Sequence, residues 1–333
     1  MQVIPNKEQI ELAHQRIQDY IHRTPLFTNQ TLNELCGAKV VFKAENMQKV
    51  GAFKARGALN AALSLPHNKI TAGFCTHSSG NHAQAIAYAA KSLKVPAYIV
   101  MPETANPVKV KAVANYGAEI IFCAPTQRDR EATVERVRQE TGATFIHPYN
   151  DSKVIEGQAT AAKELIAAFP DMNTLFAPVG GGGLLSGSCL SARYFGKNIQ
   201  VYGCEPEQAN DAWMSMQSGQ IEPARGLPTS ADGLMTSLGD LTFEIIRNEV
   251  SGIITVTEDQ IAEAMKFVWE RMKLIIEPSS AVPLAALLNN RELFVGRKIG
   301  IIISGGNVDF SQLAFLKEPA TQNEAKVNIY SSY

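Results

Sequence analysis

Four short stretches of this chain hold the residue types that chemistry needs. The first is Gly180-Gly181-Gly182-Gly183, between an apolar run and a helical pattern. Consecutive glycines cost a packed chain backbone entropy. What they gain is close approach of main-chain N–H groups to a ligand. At a helix N-terminus those donors and the dipole favour a phosphate. The spacing fits neither common nucleotide pattern. G-x-G-x-x-G/A fails at Leu185 or Ser186, depending on the starting glycine, and Ser188 stands where the Walker pattern needs lysine. A flexible loop is the plainer alternative, and the strand–glycine–helix order argues against it.

Lys54 lies within Gly51-Ala52-Phe53-Lys54-Ala55-Arg56-Gly57-Ala58, at the expected start of a helix. A lysine gains nothing from the dipole there, and an ordinary solvated lysine is the bland alternative. Phe53 and the small neighbours imply partial burial, and Arg56 adds a cation close in sequence. Both lower a lysine pKa, which an imine-forming amine requires. The third stretch, His77-Ser78-Ser79-Gly80-Asn81-His82-Ala83, follows a strand and opens a helix. Ser and Asn are good helix caps. The same hydroxyls, amide and free N–H groups also make a carboxylate receptor. His77 and His82 lack Cys or acidic partners at ligand spacing, so a metal is discounted there. Ser304-Gly305-Gly306-Asn307 again closes a strand. Ligands of parallel α/β sheets collect at the carboxyl ends of strands, and three such ends here carry Gly/Ser/Asn clusters.

A regular scaffold must position these stretches. Apolar runs predict strands at 70–75, 97–101, 119–123, 144–147, 174–178, 200–205, 253–256 and 298–304. Amphipathic patterns predict helices at 81–93, 107–116, 128–140, 154–168, 184–194, 258–273 and 279–288. Short apolar strands between such helices mean βαβ units and mostly parallel sheets covered by helices, an α/β fold. Residues 219–238, with Pro223 and Pro228, read as a long loop, and the tail ends in the polar 328–333.

The length of 333 residues and 45% hydrophobic content suit two lobes with a real core. A net charge of −1 argues against a nucleic-acid or polybasic membrane partner. No basic segment with an apolar stretch opens the chain, and no run of about 18 apolar residues exists to span a membrane. Cys36, Cys75, Cys123, Cys189 and Cys204 are scattered, which fits reduced, buried thiols in a cytoplasmic protein.

Taken in order, Phe53-Lys54-x-Arg56-Gly57, Ser78-Ser79-Gly80-Asn81-His82, Gly180–Gly183 and Ser304-Gly305-Gly306-Asn307 resemble the fold-type II pyridoxal-phosphate enzymes, whose fold is like the tryptophan synthase β-subunit. Trp269-Glu270-Arg271-Met272-Lys273 and Ile276-Glu277-Pro278 belong to the same resemblance, which spans residues 5–315. Within that group the chain looks like the branch of threonine/serine dehydratases, serine racemases and threo-3-hydroxyaspartate ammonia-lyases. The resemblance implies that Lys54 carries pyridoxal phosphate in imine linkage and moves the Cα proton. Gly180, Gly181, Gly182 and Gly183 would bind its phosphate. Asn81 would bond the ring hydroxyl, Phe53 would pack near the ring, and Ser304 would face the pyridine nitrogen. Ser78, Ser79, Gly80, Asn81 and His82 would hold the substrate carboxylate, with Ser79 on the face opposite Lys54. Thr236 would offer substrate a hydroxyl. Arg130 matches an arginine that contacts dicarboxylates in relatives, although its Arg-rich helix also suits plain solvation. Glu205, the Ala209 carbonyl and Asp211 match a divalent cation site, and oxygen ligands suit Mg²⁺, Ca²⁺ or Mn²⁺. Without the resemblance, a surface loop with a helix cap is the simpler reading.

A neutral Ser304 supports a pyridinium less than an acid would, which suits rapid expulsion of a β-substituent. The expected activity is therefore ammonia-lyase (dehydratase) action on L-threonine and/or L-serine. Serine racemase is the alternative. It needs an acid/base on each face, which Ser79 allows. Tyr149 and Asp232-Gly233-Leu234-Met235-Thr236 depart from the racemase pattern. L-threo-3-hydroxyaspartate ammonia-lyase is a third reading, and a cysteine synthase is a same-fold alternative. A noncatalytic nucleotide- or phosphate-binding protein is the alternative of another class. The expected division is a large cofactor-binding domain from 1–63 and 151–320, a small mobile domain at 73–150, and a tail at 321–333. No regulatory domain is expected to follow. The partners implied are a small amino-acid substrate, a second copy in a homodimer, and room for a nucleotide effector.

Overall fold

Continuous apolar runs become strands because both faces of a parallel sheet are covered. In the computed structural model, which describes residues 3–310, the strands are β1 (Leu26–Thr28), β2 (Lys39–Ala44), β3 (Phe74–His77), β4 (Ala97–Pro102), β5 (Glu119–Cys123), β6 (Thr144–Phe145), β7 (Thr174–Pro178), β8 (Gln200–Pro206), β9 (Gly252–Val256) and β10 (Lys298–Ile303). They form a six-stranded sheet in the order β1-β2-β10-β7-β8-β9 and a four-stranded sheet in the order β5-β4-β3-β6. The β1–β2 pair is antiparallel and the other strand pairs are parallel. Every residue of β7 is buried, and so is all of β10 after Lys298. The α/β class and the parallel, helix-covered sheets read from the sequence are what the chain adopts.

Local chemistry starts and stops the helices. The Asp151 carboxylate accepts the main-chain N–H groups of Lys153 and Val154 and opens the helix Ser152–Ala168. Helix Gln127–Thr141 ends at Gly142, whose φ of 72° is the left-handed conformation that glycine tolerates best. Helix Lys54–Leu63 packs directly on Ser152–Ala168, because glycines face each other there. A Cβ on Gly157 would lie 2.6 Å from the Gly57 Cα. Beside this crossing, Arg56 is wholly buried among Glu45, Glu164 and Thr160.

Three expectations need correction. Residues 70–75 are not one strand: His67–Thr71 is helical, and β3 begins at Phe74. Gly73 separates them with φ +82°, in a spot where a Cβ would strike the Pro96 carbonyl. The strand expected at 144–147 pairs only as far as Phe145, although the Ile146 N–H still bonds the Cys75 carbonyl at 3.0 Å. Pro148 has no N–H to continue the ladder. The α-helix expected over 258–273 ends at Phe267 and passes into a π turn, Val268–Met272, closed by Lys273 at φ 59°. Residues 219–238 do form a long connection, broken by a short 3₁₀ turn at Asp232–Leu234. The expected tail at 321–333, and the large lobe's last residues up to 320, lie outside the described residues. Among the described residues no helix is long and apolar enough to cross a membrane. All five cysteines are buried and free.

Candidate active site

Lys54 hangs from the end of β10. The Phe53 N–H donates to the Ser304 carbonyl at 2.9 Å, and Ala52 bridges Gly305. Just before it, Val50 is held at φ 57°, a strained conformation for a β-branched residue. The Asn307 amide donates to the Val50 carbonyl at 2.7 Å, and the Gly306 N–H donates to the Gly51 carbonyl at 2.9 Å. These bonds fix the start of the helix, and with it the lysine. The half-buried Lys54 amine donates to the Pro148 carbonyl at 2.8 Å and lies 5.2 Å from the centre of the Phe53 ring. Burial lowers its pKa to about 8, and the Glu277 carboxylate opposes part of that fall. Arg56, expected to act as the depressing cation, does not: its guanidinium is tied to Glu45 and Glu164 on the far side of the helix.

The other two strand ends face this amine. Past β7, Gly182 takes φ +90°, and a Cβ on Gly181 would collide with the Tyr149 ring. The Gly181 carbonyl accepts the Thr242 hydroxyl at 2.8 Å. Past β3, Gly80 caps the helix Asn81–Leu93 without any side-chain cap, so Ser78 and Asn81 are not the helix caps their types suggest. The Asn81 amide instead donates to Glu277 at 2.9 and 3.1 Å, and its carbonyl oxygen accepts from Asn307 at 2.9 Å. Burial raises the Glu277 carboxyl to about 7, against the pull of its Asn81 bond. Ser304 is buried, and its hydroxyl lies 2.9 Å from that of Ser280.

The remaining expected residues divide. Ser79 is half-buried at the helix start. The His82 ring is buried, with Nε2 on the Ile146 carbonyl at 3.1 Å, so what His82 offers a substrate carboxylate is its main-chain N–H in the first turn of the helix. Thr236 is exposed in the long connection. Arg130 is half-buried, reaches the Pro125 carbonyl at 3.4 Å, and leaves its Nε buried without a partner. Sequence reading gave no role to Glu277, Ser280, Asn307 or His147. For Glu277 and Asn307 the signal was present, one just before Pro278 and the other closing Gly305-Gly306.

Glu205 and Asp211 form a pair of buried acids. Glu205 is fully buried, and its two oxygens accept the N–H groups of Ala212 at 3.0 Å and Trp213 at 2.8 Å. Both carboxylate oxygens of Asp211 are buried without partners, as are Gln208 Oε1 and Asn210 Oδ1. Burial pushes Asp211 up to about 7; burial and then Asp211 push Glu205 well up. Among the described residues no three His, Cys, Asp or Glu side chains gather at one point. A hard cation fits orphaned oxygens of this kind, with main-chain oxygens completing its shell.

Comparison with known proteins decides the family. Residues 17–305 match the family described as pyridoxal-phosphate dependent enzyme. The chain belongs to it. A beta-hydroxyaspartate dehydratase from Paracoccus denitrificans is 46% identical over 310 residues, covering 93% of this chain and 98% of that protein. The crystal structure of serine racemase from Dictyostelium discoideum has 48% identity and a TM-score of 0.87, over 91% of this chain and 99% of that one. The crystal structure of a T.th. threonine deaminase has 42% identity and a TM-score of 0.87, over 92% and 99%. This pyridoxal-phosphate dependent enzyme thus has both lyases and racemases among its relatives, and the noncatalytic alternative loses its support. The site fits the family's cofactor: a half-buried amine, a glycine turn in which a side chain would collide, and a buried neutral hydroxyl pair.

Proposed function

We propose that the chain is an ammonia-lyase that converts L-serine and/or L-threonine to a 2-oxo acid and ammonia. The observation that carries this reading is the Lys54 amine, depressed to about 8 by burial and set among three strand ends. Pyridoxal phosphate, when bound, supplies the electron sink that makes the Cα proton removable. Lys54 would bear it, with Phe53 and Asn81 beside it, Gly180–Gly183 at its phosphate and Ser304 toward its ring nitrogen. An amine that loses its proton near neutral pH is matched to taking the Cα proton. The Ser78–His82 segment, at a helix N-terminus, suits a substrate carboxylate. Loss of the β-hydroxyl as water then leaves an enamine that hydrolyses to the 2-oxo acid and ammonium. The neutral Ser304–Ser280 hydroxyl pair supports elimination, because it would offer the ring nitrogen no charge of its own.

One observation favours a second substrate. The buried, unpartnered Arg130 Nε suits the distal carboxylate of threo-3-hydroxyaspartate, and the Paracoccus relative's name carries beta-hydroxyaspartate. Ser79, at the start of the Asn81 helix, supports a side activity of serine racemisation. Glu205, Asp211 and the Ala209 carbonyl would hold Mg²⁺, Ca²⁺ or Mn²⁺ as a structural or activating ion. The unit at 73–150 would close over the substrate and exclude water.

Product analysis with L-serine, D-serine, L-threonine and threo-3-hydroxyaspartate, with and without Mg²⁺, tests this reading. Pyruvate or 2-oxobutyrate with equimolar ammonia supports it. Turnover of hydroxyaspartate alone selects the second substrate, and D-serine without oxo acid from L-serine selects the racemase.

A further inference from the structure

The turn that receives Lys54 is itself held by a histidine. His147 Nδ1 accepts two main-chain N–H groups, from Tyr149 at 3.2 Å and from Asn150 at 2.9 Å. A ring nitrogen that accepts carries no proton, so the proton of the neutral ring sits on Nε2. Within the turn so pinned, the Pro148 carbonyl meets Lys54 Nζ at 2.8 Å. The Tyr149 ring stands edge-on to the His147 ring, 4.7 Å away at 89°, and presses on Gly181. Asn150 carries the turn on to Asp240 at 2.6 Å and to the Leu241 N–H at 3.1 Å. One short turn therefore touches the amine, the glycine turn and the helix Asp240–Glu249.

We propose that His147 is a positioning residue: its unprotonated Nδ1 clamps the 147–150 turn, so that the Pro148 carbonyl holds the Lys54 amine and Tyr149 covers the glycine turn. The proposal rests on the reading of Lys54 as the proton-moving amine. Protonating Nδ1 would break both clamp bonds. Burial, then His77 and Lys54, lower the ring's pKa to about 4, which keeps the neutral form.

Two substitutions separate this role from plain packing. Asparagine places an oxygen close to where Nδ1 lies, whereas glutamine carries its acceptor one bond further out. His147→Asn is expected to keep kcat for 2-oxo acid release within about threefold of wild type. His147→Gln should lose about tenfold to a hundredfold in kcat with KM little changed, the scale of two lost hydrogen bonds. Equal losses in the two variants, or no loss in His147→Gln, overturn the proposal. Nitrogen-15 NMR of the histidine-labelled wild-type holoprotein reads the ring without turnover. Unprotonated Nδ1 and protonated Nε2 are expected from about pH 6 to about pH 8; a protonated Nδ1 overturns the clamp. The expected NMR pattern in a protein that turns over none of the amino acids would keep the clamp and sink the lyase reading instead.

Discussion

Replacing Arg56 by methionine removes a guanidinium that serves two buried carboxylates at once. Its Nε and Nη2 reach Glu45 at 2.7 and 2.8 Å, and Nη1 and Nη2 reach Glu164 at 2.8 and 2.9 Å. Lys43 adds a 2.6 Å bond to Glu164, so two cations balance two carboxylates. None of these side chains is more than 4% exposed. Methionine fills much of the same volume, so the main loss is electrostatic. Breaking a buried pair from one side costs about 3–5 kcal/mol. The pH dependence supplies a second figure. Burial pushes the Glu164 carboxyl up, but its bonds to Arg56 and Lys43 outweigh that and hold it at about 2, against an ordinary 4.5. At about 1.4 kcal/mol for each pH unit, the difference is worth about 3 kcal/mol. A depressed carboxylate stabilises the fold above its unfolded pKa, so this contribution is complete above 4.5 and fades as pH falls toward about 2. Without Arg56 the carboxyl should take its proton at higher pH. The deficit against wild type is then largest near neutrality and shrinks on acidification. Urea unfolding of the cofactor-loaded proteins at about pH 7 and about pH 5 measures both. A loss under about 1 kcal/mol near neutrality, or a deficit that grows toward acid, refutes the reasoning.

Three other outcomes are expected. Gly157→Ala drives a methyl against the Gly57 Cα and should destabilise the fold by about 1–3 kcal/mol, read as a lower Tm; an unchanged Tm would mean that the two helices separate freely. Added Mg²⁺ should raise the Tm of the wild type but not of Asp211→Asn, and an equal response in both would place the ion elsewhere. Ser79→Ala should suppress any serine racemisation more than elimination, whereas equal losses would leave Ser79 with substrate positioning alone.

How much was legible depended on the reach of each interaction. Strands 119–123 and 174–178 and helix 81–93 could be read residue by residue, because buried runs and Ala-rich periodicity are local signals. The helix at His67–Thr71 was hidden by its β-branched Ile70 and Thr71; Gly73 stops it with φ +82°, and the Pro96 carbonyl leaves no room there for a side chain. Arg56 misled for a geometric reason. Residues two apart on a helix point to opposite sides, so closeness in sequence to Lys54 put its charge in the core instead. The glycine turn and Lys54 announced themselves by composition. Glu277 and Asn307 meet Asn81 across some two hundred residues, and His147 works through a tautomer and two main-chain donors. No sequence period records contacts of that kind.

Every role proposed for the site depends on the Lys54 amine, and the Lys54→Ala variant tests it most directly. Loaded with pyridoxal phosphate, the variant is expected to lack the visible absorbance of the lysine-linked cofactor before amino acid is added, and it is then given L-serine, L-threonine and threo-3-hydroxyaspartate. It should release no 2-oxo acid or ammonia above background. Retained elimination in a correctly folded Lys54→Ala protein would contradict the proposed chemistry.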